Sequence, residues 1–183
     1  MKLSKFQVGK RYSKALYEVA QEENSVKEIL DDLKALKVIY EENPTLVVAF
    51  SGRTIAPSEK QKIVDNLKKP FDELMQNFLS MLFERGRLDC VEEIADAYIE
   101  KYDADNGIVE VTVTSTIELT AEQEDQLRSV IQQRFSVKQA NLTKIVDPSI
   151  IGGVIIRVGD QVIDGSVLKR YTAIKNLLLV KNK

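Results

Sequence analysis

The sequence predicts an α+β protein: an N-terminal six-helix bundle over residues 1–104, then a small mixed α/β domain over residues 105–183. Three observations carry this reading. Apolar residues recur at three- and four-residue spacing as far as Tyr102. From Val109 they alternate with polar ones instead. Finally, Ile150 to Val158 is nearly continuous aliphatic, broken only by Gly152-Gly153 and Arg157.

In the helical part, Val8, Tyr12, Ala15, Leu16 and Val19 mark a first helix from about Ser4 to Glu22, broken by Asn24-Ser25. Val26, Ile29, Leu30, Leu33, Leu36 and Tyr40 define a second. It stops near Asn43-Pro44, because proline disfavours helical geometry in the residue before it. Leu46, Val47 and Phe50 make a short third helix, ended by Ser51-Gly52. Ser58 with Gln61 forms an expected capping box for a fourth, carrying Ile63, Val64 and Leu67. After Pro70, a fifth helix has the richest apolar face of the chain: Phe71, Leu74, Met75, Phe78, Leu79, Leu82 and Phe83. Arg85-Gly86-Arg87 closes it with a left-handed glycine cap. Leu88, Val91, Ile94, Ala95, Tyr98, Ile99 and Tyr102 give the sixth. Short connections between short helices describe a bundle.

Asp103 to Gly107 is polar and turn-rich, and the domain boundary is expected there. Val109, Val111 and Val113 alternate with Glu110, Thr112 and Thr114, a half-buried strand. Thr120 and Gln123 form a capping box before a helix with Leu127, Val130, Ile131 and Phe135. Leu142 to Val146 is a second strand. Asp147-Pro148-Ser149 then turns the chain into the run from Ile150 to Val158, expected to be a buried central strand. Its two glycines mark a bulge or the close approach of another backbone. Gly159-Asp160 fits a two-residue hairpin turn. Ser166 stands where a cap belongs, and Val167, Tyr171, Ile174 and Leu178 mark one face of a last helix.

Composition narrows the chemistry. Histidine is absent and Cys90 is the only cysteine, which removes intramolecular disulfides, the usual zinc sites and every histidine-based catalytic arrangement. The 26 basic and 28 acidic residues interleave, so no nucleic-acid footprint stands out. No apolar run approaches the ~20 residues needed to cross a bilayer, and the start of the chain lacks a signal-peptide core. No export or import sequence is expected. Gly152-Gly153 is followed by strand-like residues and not by a helix, and no Gly-Lys-Ser/Thr ending occurs, so no phosphate loop is expected. Asp147, Asp160 and Asp164 sit at turns, where aspartate bonds its own backbone, and no calcium-loop spacing accompanies them. Cys90 reads as a small, partly buried side chain. Arg157, on an otherwise apolar strand, is expected at an edge or in an ion pair. These residues predict no cofactor, no metal and no catalytic centre.

The run Asp147-x-x-Ile150-x-Gly152-Gly153-Val154-x-Ile156-Arg157-x-Gly159, with Asp164-Gly165-Ser166 after it, closely resembles the C-terminal signature of the delta subunits of F-type ATP synthases. The mitochondrial relative is the oligomycin-sensitivity-conferring protein. Arg11-Tyr12-Ser13-Lys14-Ala15-Leu16-Tyr17 is similar to that family's opening helix, and Glu84-Arg85-Gly86-Arg87-Leu88 to the end of its fifth. Asn43-Pro44, Gly107-Ile108-Val109 and Val113-Thr114-Ser115 match in order. Ser13 replaces a usual alanine and Arg85 a usual asparagine.

The resemblance implies a non-catalytic stator subunit of a proton-transporting ATP synthase. The helical domain would sit on the catalytic head and bind the N-terminal helix of an alpha subunit through its first and fifth helices. Carried over by position, the alpha-subunit contacts are Tyr12, Ala15, Asn77 and Met81. The C-terminal domain would meet the b subunits of the peripheral stalk. This tie keeps the alpha–beta ring from turning with the rotor. The implied location is peripheral, on the cytoplasmic face of a bacterial plasma membrane, without a span of its own. Two other classes remain beside it: a helical nucleic-acid-binding protein, opposed by the interleaved charge, and a small hydrolase, opposed by the missing histidine.

Overall fold

The computed structural model describes residues 4–52 and 55–180, the last five by their backbone alone. The chain divides into two compact units, Met1–Tyr102 and Asp103–Lys183.

In the first unit, α1 spans Lys5–Glu22. Ser4 caps it: its hydroxyl accepts from the Gln7 N–H at 3.2 Å while the Gln7 side chain accepts from the Ser4 N–H at 3.1 Å. Two of the orphan donors of the first turn are thereby satisfied. Helix α2 follows at Val26–Glu42, α3 at Thr45–Ser51, α4 at Pro57–Lys68 and α5 at Glu73–Glu84. A single 3-10 turn, Leu88–Cys90, leads into α6 at Val91–Asn106. The apolar stripes of these helices meet in one core, in which Val8, Leu33, Leu36, Met75, Leu79, Leu82 and Ile94 are fully buried or nearly so. Helix α1 comes close to α6 at Gly9, where a Cβ would lie 2.5 Å from the Glu93 carbonyl oxygen. No other residue fits that position without displacing backbone.

Helix α5 ends as its sequence requires. Gly86 is left-handed at φ 61°, the Gly86 N–H donates to the Phe83 carbonyl and the Arg87 N–H to the Leu82 carbonyl. That pair of bonds is the Schellman arrangement, and glycine enters it without a Cβ penalty. The start of α4 differs from expectation. Pro57 occupies its first turn, Ala56 is the N-cap, and no side chain caps it. Gln61 donates instead to Asp65 at 2.9 Å. Proline is preset for the first helical position, and that preference outweighs the Ser58 box.

The polar segment Asp103 to Asn106 is helical, not a turn: α6 runs on to Asn106 and stops at Gly107, φ 66°. Polar residues continue a helix readily once it is nucleated, so the break falls where only glycine can leave it.

The second unit holds β1 (Ile108–Ser115), α7 (Ala121–Phe135), β2 (Gln139–Val146), β3 (Val154–Val158), β4 (Gln161–Asp164) and α8 (Val167–Val180). The sheet order is β2-β1-β3-β4. Strands β1 and β2 are parallel, which requires a crossover, and α7 supplies it. Strand β3 lies antiparallel to β1 and forms a hairpin with β4. Val111, Val113, Ile131, Ala140 and Val158 make the buried core between sheet and helix. The Thr120–Gln123 capping box of α7 is present in both directions.

The aliphatic run from Ile150 is not one strand. Pro148–Ile150 is a 3-10 turn with Ile150 buried, Ile151 is exposed at φ 68°, and β3 begins only at Val154. Gly153, at φ 79°, lets this segment reach the backbone that leads into α8. A Cβ on Gly153 would stand 2.4 Å from the Gly165 carbonyl oxygen. Across that gap the Gly165 N–H donates to the Val154 carbonyl at 3.0 Å and the Val167 N–H to the Gly152 carbonyl at 2.9 Å. Gly159-Asp160 is the hairpin turn, flanked by the pair Val158 and Gln161. Arg157 is not on an edge strand and has no ion pair among the described residues: it is exposed on β3, its Nε donating to the Gly159 carbonyl at 3.3 Å. One sheet face is open there, so the long cation simply extends into water.

Candidate functional site

Two surfaces stand out, one on each unit. The first lies on α1 and α5. Tyr12 and Ala15 are three residues apart and share a face of α1, as Asn77 and Met81, four apart, share a face of α5. Tyr12 and Met81 are half-buried and pack against the core, whereas Ala15 and Asn77 are exposed. The same α1 face continues to Val19, 39 % exposed, and the α5 face starts at half-buried Leu74. Val19 and Leu74 are absent from the residues carried over by resemblance. Their positions seven residues from Tyr12 and Met81 are the signal that finds them. Each face thus presents apolar atoms that the core leaves partly uncovered.

The second surface is α8. Its first turn is fixed twice, by the backbone bonds to Gly152 and Val154 and by Ser166, whose hydroxyl accepts from the Lys169 N–H at 3.1 Å. Every residue from Val167 to Lys175 is exposed, Tyr171 and Ile174 at 60 % and 58 %. Leu178, expected on the same face, has its side chain outside the described residues.

Neither surface carries reactive chemistry. Burial first, and then Asp89, push the Cys90 thiol up to about 11, so at neutral pH it is a thiol and not a thiolate nucleophile. The Ser149 hydroxyl and N–H hold the Asp147 carboxyl below its ordinary range. Ser166 does the same for Asp164, with Lys169 adding to it. Both aspartates are turn residues satisfied by the residue two positions on, at 2.9 Å in each case. Among the described residues no group of three or more Cys, Asp and Glu is placed to hold a metal ion. A shallow depression of about 320 Å³ between α7 and β3 is lined by Leu119, Gln123, Gln126, Leu127, Val130 and Val154, with no titratable group among them. Gly152-Gly153 leads into the strand β3 and not into a helix, and the Gly152 carbonyl accepts from the Val167 N–H.

The comparisons with known proteins place the chain in a family. The family model described as ATP synthase delta (OSCP) subunit matches residues 8–178. The ATP synthase subunit delta of Lacticaseibacillus paracasei is 38 % identical over 172 residues, covering 94 % of this chain and 95 % of that one. That of Enterococcus faecalis is 38 % identical over 179 residues, covering 98 % and 99 %. A chain of the Toxoplasma gondii mitochondrial ATP synthase hexamer superimposes with a TM-score of 0.67 at 22 % identity, over 93 % of this chain and 97 % of that chain. At that identity the superposition speaks for the fold alone.

Proposed function

This chain belongs to the ATP synthase delta (OSCP) subunit family, and on that premise we propose that it ties the catalytic alpha–beta head of an F-type ATP synthase to the b subunits of the peripheral stalk. It is a structural subunit of that complex, not an enzyme. The observation that carries the reading is the extent of the match. It runs from α1 into α8 and so includes both exposed apolar surfaces, one for each end of a tie.

The helical unit, taken as a six-helix bundle, receives the N-terminal helix of an alpha subunit between α1 and α5. Tyr12 and Met81 suit such a groove: one flank of each side chain rests on the core and the other is free to meet a partner. Helix-in-groove binding draws its affinity from apolar anchors buried at helical spacing, and Ala15 and Asn77 leave room for the incoming backbone. The second unit meets the b subunits. Holding the head still relative to the stalk lets rotor torque drive ATP synthesis. The chain is peripheral on the cytoplasmic face of a bacterial plasma membrane, in keeping with the absence, among the described residues, of any helix long and apolar enough to cross one.

Stripping the chain from membranes and adding it back tests this. Without it, ATP hydrolysis should continue while ATP-driven proton pumping collapses, and pumping should return on re-addition. Pumping that is indifferent to the chain, or failure of alpha, beta and b to copurify with it, would remove the reading.

A further inference from the structure

From Val167 to the end of the chain the sequence holds Lys169, Arg170, Lys175, Lys181 and Lys183 and no acidic residue. This is unusual in a chain whose two signs are otherwise interleaved and whose net charge is −2. Lys169, Arg170 and Lys175 are exposed on α8 and have no ion pair among the described residues. Beside them Leu168, Tyr171 and Ile174 are exposed as well. A helix of this length is marginal in water by itself. Here its first turn is bound to the sheet backbone and Val167 lies against Gly152, while the side chains of Lys169 to Lys175 stand exposed. We propose that α8 is the docking element of the second unit, and that its partner is an acidic helical segment with an apolar seam. The seam covers Tyr171 and Ile174, and carboxylates on either side meet Lys169, Arg170 and Lys175.

The proposal rests on the stator reading, in which this unit meets the peripheral stalk, and it specifies the chemistry of the stalk segment that arrives. Charge complementarity is what selects this occupant. An uncharged apolar helix would leave three cations crowded at the rim of the contact, and a basic one would be repelled. The Gly152–Gly153 clamp fits the same role. By fixing the first turn through backbone bonds, it leaves the exposed side chains of Lys169 to Lys175 available to a partner.

The test uses the full chain, the soluble C-terminal segment of the b subunit as probe, and vesicles containing phosphatidylglycerol as a second probe. The variants are K169E/R170E/K175E and, separately, Y171S/I174S. Because all five side chains are exposed, both variants should keep the parent circular dichroism and melting midpoint. The charge variant should bind the b segment at least about tenfold more weakly, as expected for several lost charge pairs. Parent binding should also weaken as salt is raised. Reversing acidic residues of the b segment to lysine should restore binding to the charge variant. Parent chain that binds b while the charge variant binds equally well overturns this proposal and leaves the stator reading intact. Parent chain that binds no b segment removes both. Vesicle binding lost in the charge variant, with b binding unchanged, overturns it in favour of an anionic membrane surface.

Discussion

Met81 rests one flank on the core of the helical unit and leaves the other open, and the two roles make opposite demands on a substitution. Met81→Asp places a carboxylate against apolar neighbours, a penalty of several kcal/mol where it stays ionised and unpaired. In a groove the ionised group turns toward water in the free protein and is trapped only in the complex. The variant should therefore melt like the parent but lose binding of an alpha-subunit N-terminal peptide. Circular dichroism and calorimetry on the same sample decide it: loss of folding makes the position core, and unchanged binding removes it from the site. The glycines give a second contrast. Gly86 and Gly153 both have positive φ, but a Cβ on Gly86 meets nothing within 4 Å while one on Gly153 meets the Gly165 carbonyl. Gly86→Ala should cost about 1–2 kcal/mol from backbone conformation alone. Gly153→Ala adds a backbone collision to a comparable strain and should cost more, roughly 3 kcal/mol or above, unless the clamp opens. Urea denaturation of the two variants checks the order, and equal losses would mean that the clamp is soft.

Between elements, the contact of α2 with the entry to α5 makes a pH prediction. Burial, then Asp72, then Asp31 raise the Asp32 carboxyl above its ordinary value of 3.8. A raised acid binds its proton more tightly in the folded state. Stability therefore falls as pH rises through the window between 3.8 and the folded value, and the repulsion is fully present at neutral pH. Asp32→Asn should raise the melting midpoint at pH 7, by less than about 1 kcal/mol in stability because the site is largely screened by water, and should do nothing at pH 3. A gain of equal size at both pH values would assign the effect to packing. Such a contact could not be read from the chain, whereas the caps could. The Thr120–Gln123 box, the Gly86 cap, the Gly159 turn and the Ser166 cap each depend on residues at fixed short offsets. Ser58 misled because Pro57, one residue earlier, had the stronger claim on the helix start. Ile150 to Val158 misled because an aliphatic run says nothing of the positive φ at Ile151 that splits it. The site was half legible for a related reason. Spacing put Tyr12, Ala15 and Val19 on one stripe with Leu16, but periodicity is the same for a core face and an open one. Only the packing of the other helices shows that Leu16 is covered and Val19 is not.

Among the described residues, the buried apolar side chains are unequally shared: the helical unit has a large core, the second unit six buried apolar side chains. A fragment of residues 1–106 should fold alone and melt near the main transition of the full chain, while residues 107–183 alone should be marginal. An unfolded 1–106 fragment would show instead that the two parts form one cooperative system. Within the second unit, Gly107 stands between the end of α6 at Asn106 and the start of β1 at Ile108, and its carbonyl accepts the N–H groups of Lys138 and Gln139. One left-handed glycine thus sets a common starting line for both parallel strands, since β1 departs from it at Ile108 and β2 is pinned to its carbonyl at Gln139.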